Sequence, residues 1–136
     1  PPQTSVFAFS YTAPALQRPV SPDFVTSGAA ECPDRPGYRD AIVRLGETSP
    51  EALAEKIAFA LGDLESRFAL MRVGWGELSG MNLYTAHPLH LGMEQEIQGR
   101  AAPRCGFTVH RVRPPVIDIE IELDARRVSR ELLLPA

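Results

Sequence analysis

Leu53, Ile57, Ala60, Leu61, Leu64, Phe68 and Met71 recur at three- and four-residue steps, the apolar stripe of an amphipathic helix. Glu51, Glu55, Lys56, Asp63, Glu65 and Arg67 fall on its other faces. Ser49 is placed to cap its start, because a hydroxyl there accepts from an otherwise unpaired backbone N–H. Pro50 suits the first helical position, where its missing N–H costs nothing. The helix is expected to end before Gly74. A different period governs the C-terminal part. From Val116 to Leu123, Ile117, Ile119, Ile121 and Leu123 alternate with Asp118, Glu120, Glu122 and Asp124, which predicts a strand with one apolar and one acidic face. Phe107 to Val112 predicts another strand, separated from it by Pro114-Pro115. Leu78 to Ala86 predicts a strand weakened by Gly80 and Asn82, and a short helix, Leu89 to Gln98, follows His87-Pro88. Ahead of the long helix stand three strand-like runs: Ser5 to Tyr11; Phe24-Val25-Thr26, ending in Ser27-Gly28; and Ile42 to Leu45. Thr12 to Pro22 and Ala29 to Tyr38 read as connections. The order is that of an α+β fold, a mixed sheet with two helices packed on one face.

Composition narrows the class. With 136 residues, 44% of them hydrophobic, the whole of 1–136 is expected to be one domain. Its ends are an irregular Pro-rich N-terminal segment and a short tail after about residue 125. Seven of the thirteen prolines fall in the first 36 residues, without a repeat, which excludes collagen-like sequence. A net charge of -3 argues against broad nucleic-acid binding, which needs a clustered basic surface. No apolar run approaches the ~20 residues of a membrane span, and no signal sequence is visible. Cys32 and Cys105 make neither a disulfide framework nor a zinc site. A soluble, cytoplasmic, single-domain protein is expected.

Several residues are candidates for chemistry. In the predicted C-terminal strand, acids two apart stand about 7 Å from each other on one face. Such a row either faces solvent or lines a cleft, where burial and like charge raise a carboxyl pKa toward a working acid or base. Glu120 and Glu122 are the natural choices. Arg104 lies in the turn Ala101-Ala102-Pro103-Arg104-Cys105-Gly106, where a guanidinium could clamp a carboxylate with two parallel hydrogen bonds. Gly106 there lets a ligand approach the backbone. No motif joins either cysteine to His87, His90 or His110, so thiol catalysis lacks a base. His87 and His90, three apart, lack a third metal ligand at useful spacing. Asn82 and Tyr84 share one side of their strand and could line a cleft. Pro1 offers a secondary amine, but Pro2 and polar Gln3-Thr4-Ser5 follow it rather than a regular strand.

The element order and two short motifs resemble the reactive intermediate deaminase (Rid, or YjgF) family. Asp23-Phe24-Val25-Thr26-Ser27-Gly28 looks like its early strand ending in Ser-Gly, and the Ser49 to Met71 helix looks like its long helix. Pro103-Arg104-Cys105 looks like its substrate-arginine turn, and Ile119-Glu120-Ile121-Glu122 is similar to its last-strand motif. The chain departs from the family pattern at Ala29, where Gln is usual, and lacks the early Gly-x-Tyr-Ser-Gln motif. The resemblance implies a chorismate-mutase-like fold assembled as a homotrimer, with clefts between subunits that bind small carboxylate-bearing ligands. It also implies cofactor-independent hydrolysis of an enamine or imine to a ketone and ammonia. Arg104 would hold the substrate carboxylate, Glu120 would position and activate water, and Ser27 and Gly28 would line the cleft. The backbone at Cys105 and Gly106 would hydrogen-bond the acid. A cleft reshaped by the departures suits 2-imino acids or longer diacids such as 2-aminomuconates. The alternative within the same fold is a small-acid binding or regulatory module without turnover.

Overall fold

A computed structural model describes residues 9–14, 22–101 and 105–132. The longest element is α1, Pro50–Met71, and its start follows the expected chemistry: Ser49 Oγ accepts from the Ala52 N–H at 3.2 Å, with Pro50 in the first turn. It stops where Arg72 turns left-handed, at φ 57°. Leu53, Ile57, Ala60, Leu61, Leu64 and Phe68 are all buried, each burial contributing roughly 1.5–3 kcal/mol for the larger side chains. Phe68 also makes edge-on contacts with Trp75 and Phe24, at 4.9 and 6.0 Å between ring centroids.

The stripe packs on a four-stranded sheet formed by β1 (Phe24–Ala30), β2 (Gly80–Tyr84), β3 (Thr108–His110) and β4 (Glu122–Arg127), in the order β1-β4-β2-β3. β2 and β3 are parallel, whereas β4 runs antiparallel to both β1 and β2. β1 and β2 therefore also point the same way, so α1 and α2 (Leu91–Ala101) are both crossover connections between strands of like direction. Ala29, Met81, Leu83, Ile121, Leu123 and Ala125 meet the helices in one apolar core with Met93 and Ile97 of α2. The mixed sheet with two helices on one face is the architecture expected from the element order.

Several local expectations need correction. Residues 43–46 form a turn rather than the strand expected over Ile42 to Leu45. Arg44 and Gly46 have φ of 50° and 77° there, and Arg44 is drawn to Glu47 and Glu55. The last strand is displaced: β4 begins at Glu122 and continues to Arg127, two residues past the expected start of the tail. After Pro114-Pro115 the chain turns at 117–118, with Asp118 left-handed at φ 66°. Arg39 holds the Asp118 carboxylate, and Tyr38 reaches the Ile117 carbonyl. Ile117 is consequently 74% exposed rather than inward, and Asp118 does not belong to the acidic strand face. Ser27-Gly28 does not end β1; it forms a bulge inside it, two residues opposite Asp124, with Gly28 at φ 72°. Lys56, assigned to a polar helix face by its charge, is fully buried. Of the expected Ser5 to Tyr11 strand, residues 9–11 carry no regular structure and the rest lies outside the described residues.

Candidate active site

Ile121, Leu123 and Ala125 turn toward the helices, so Glu120, Glu122 and Asp124 share the opposite side. The structure then gives each acid a different environment. Glu120 lies just ahead of β4 with only 8% of its surface exposed. Its Oε2 is 2.8 Å from His87 Nε2 and 3.9 Å from an Arg113 guanidinium nitrogen. The carboxylate is thus drawn out of water and bracketed by two basic groups.

The backbone beneath it is held from the other side. Glu31, fully buried just past the end of β1, accepts the Glu120 N–H at 2.6 Å on Oε1 and the Ile121 N–H at 2.9 Å on Oε2. Lys56 Nζ, equally buried, meets Oε1 at 3.3 Å. An ionised carboxylate deep in the core is tolerable only when its oxygens are hydrogen-bonded and its charge is countered. Two peptide N–H groups and an ammonium meet that condition here.

Further along the open face, Asp124 accepts from the Tyr84 hydroxyl at 2.7 Å and from Asn82 Nδ2 at 2.9 and 3.1 Å. Asn82 Oδ1 in turn faces His110 Nε2 at 3.2 Å, and the His110 ring stacks on Tyr84 with centroids 4.8 Å apart. Burial first, and then the hydrogen bond to Asp124, push the Tyr84 phenol up to about 12, which keeps it a neutral donor. Burial, followed by the negative charge of Asp124, raises the Glu122 carboxyl above its ordinary value. Asn82 and Tyr84 do share one side of their strand, and Asp124 is what engages them.

The remaining candidates are spread over the sheet. Gly28 and Glu122 line a hollow of about 260 Å³ with Ala30, Tyr38 and Val116. Cys105 and Gly106 line a different one of about 220 Å³, with Ser79, Gly80 and Arg126. Arg126 lies at one end of β4 and Glu120 just beyond the other, about 20 Å apart at ~3.4 Å per residue. The Cys105-Gly106 turn and Glu120 therefore sit at opposite ends of the sheet in one chain. Arg104 and Pro1 lie outside the described residues, as does the Ser27 side chain. Cys105 is exposed, and its thiol donates to the Gly106 carbonyl. Cys32 is buried in an apolar cluster with Ala30, Ile42 and Ile119, and desolvation pushes its thiol up, away from the reactive thiolate.

His87 and Glu31 are the residues that sequence reasoning passed over. The spacing of His87 from His90 suggested only a metal, whereas its partner is a carboxylate 33 residues away. Glu31 stands in a stretch that reads as a loop.

A mixed sheet carrying two crossover helices on one face is the YjgF-type fold that the sequence led us to expect. The fold is similar to the crystal structure of a candidate endoribonuclease from Thermotoga maritima, with a TM-score of 0.53, 17% identity, and coverage of 93% of this chain and 100% of the other. The chain belongs to the 2-aminomuconate deaminase CnbZ family, whose model matches residues 1–132. It is also 36% identical over 137 aligned positions to 2-amino-5-chloromuconate deaminase of Comamonas testosteroni. That alignment takes in 98% of this chain and 54% of the relative, so the chain spans about half that protein's length.

Proposed function

We propose that this chain is a hydrolytic deaminase of aminomuconate-type compounds, converting the imine form of a small unsaturated diacid to the keto or enol product and ammonia. The observation that carries the reading is the Glu120 carboxylate, nearly buried yet bonded to a titratable partner at 2.8 Å. A group so placed can take a proton from water and return it to the departing nitrogen. Water adds to the carbon of the protonated C=N as its π pair moves to nitrogen, and the carbinolamine forms. The C–N bond breaks as nitrogen takes the proton held by Glu120 and the hydroxyl proton passes to Glu120. Arg104 anchors a substrate carboxylate, the backbone at Cys105 and Gly106 hydrogen-bonds it, and Ser27 and Gly28 line the cleft. Acid–base work and carboxylate binding suffice for this hydrolysis, so no cofactor is assigned.

The distribution of these residues supports a homotrimer. The Cys105-Gly106 turn and Glu120 lie too far apart in one chain to act on one small acid. A cleft between copies would set the turn of one beside the Glu120 of the next. Among the described residues no helix is long and apolar enough to cross a membrane. The two free cysteines suit the reducing cytoplasm in which we place the protein.

The test is decay of 2-aminomuconate absorbance together with ammonia release, with the mass measured by light scattering. Arg104→Ala should mainly raise KM, since a charge-assisted anchor is worth about 1.5–3 kcal/mol, and Arg104→Lys should rescue only part of it. Binding of an unreactive diacid without ammonia release from any imine would replace the enzyme with a binding module. A monomeric mass in a fully active protein would remove the shared cleft.

A further inference from the structure

The His87–Glu120 contact joins the acid assigned above to a second group able to carry a proton. The two members differ in access: the His87 side chain is 22% exposed and that of Glu120 is 10%. The imidazole is therefore the more open end of the pair. Among the described residues, both contacts to the Glu120 carboxylate fall on Oε2, which leaves Oε1 for a ligand or water. The backbone that carries the imidazole is held in place, since the His87 main-chain N–H donates to Thr85 Oγ1 at 3.2 Å in the turn after β2. The backbone on the Glu120 side is pinned by Glu31. Two proton-carrying groups are thus fixed in hydrogen-bonding contact, with one facing inward and the other outward.

We infer that His87 is the proton relay of the site, exchanging a proton with Glu120 Oε2 and passing it to and from solvent during turnover. The inference rests on Glu120 being the base. In the hydration step a C–O bond forms at the carbon of the protonated imine as the C=N π pair moves to nitrogen, and the proton lost by water goes to Glu120. In the collapse step the amine nitrogen takes that proton and the C–N bond breaks. The hydroxyl proton passes to Glu120 and on through His87 to solvent, with no change in oxidation state. The other charged group drawn to the carboxylate is the Arg113 guanidinium, 3.9 Å from Oε2, and Glu122 follows two residues along the chain.

His87→Gln keeps a side chain able to donate to Oε2 but cannot titrate, which separates relay from support. Ammonia release from 2-aminomuconate by the full chain should fall about 10²-fold in kcat, within the usual range for positioned proton transfer. KM should change little, and the limb of the pH–rate profile governed by the imidazole should disappear. Added imidazole should restore part of the rate in His87→Ala. His87→Gln with unchanged kcat and an unchanged pH profile, beside an inactive Glu120→Gln, would overturn the relay and leave the deaminase reading standing. A fully active Glu120→Gln would remove both. Should His87→Gln lose its thermal transition, His87→Asn under the same pH series decides by the same criteria.

Discussion

Glu31 and Glu120 are two carboxylates on either side of the same stretch of backbone, each beside a basic side chain. Glu31 is fully buried with Lys56, and its oxygens accept the N–H groups of residues 120 and 121. Glu120 stands on the open side with His87, whose side chain is partly exposed. What differs is access and hydrogen-bond saturation. Both Glu31 oxygens are occupied, so the group can only hold, whereas both contacts recorded for the Glu120 carboxylate among the described residues fall on Oε2. A sealed acid–base pair fixes the backbone of an open one.

The largest effect should come from breaking the sealed pair. Glu31→Gln leaves Lys56 as an uncompensated buried charge and replaces one acceptor oxygen with a donor. It should cost about 3–5 kcal/mol of stability, read by urea unfolding at fixed protein concentration. Equal loss in Glu120→Gln would erase the distinction, since that variant should lose turnover while remaining folded. Lys56→Met should cost less than Glu31→Gln, because the Glu31 carboxylate keeps its two backbone donors and the apolar replacement fits the core.

A smaller change is expected at Tyr84→Phe, which removes a hydrogen bond to Asp124 on the partly open face. The cost should be about 1 kcal/mol, with the melting curve as the measure. Glu122→Gln sharpens the comparison through pH. Burial and Asp124 raise the Glu122 carboxyl above its ordinary 4.5, so its ionised form subtracts from stability in the folded state. That penalty is present at neutral pH, fades as pH falls through the raised value, and is gone below 4.5. Glu122→Gln should accordingly be more stable than the parent at pH 7, with the advantage vanishing near pH 4. An advantage that grew on acidification would contradict the direction of the shift.

The long helix, its Ser49 cap and the order of the elements from that helix onward were legible in the sequence. They are written in local spacing: three- and four-residue steps make a helix stripe, and a short motif needs no distant partner. The period-two pattern over Val116 to Leu123 was misleading at its start. Contacts from Tyr38 and Arg39, nearly eighty residues away, turn the chain at Asp118 and delay the strand. Charge misassigned Lys56, because nothing near it in sequence announces Glu31 as its counter-ion.

The sequence by itself determined which residues form α1, the α+β class and the acidic group at the chain's last strand. Only the tertiary structure decided that Glu120 meets His87. The β2–β4 register, with Tyr84 opposite Glu122, brings the turn after β2 alongside residue 120. Register is set by long-range pairing and by the apolar face that pairing buries. Neither strand carries that information alone, which is why a histidine weighed only as a thiol's base or a metal ligand stands beside the acid.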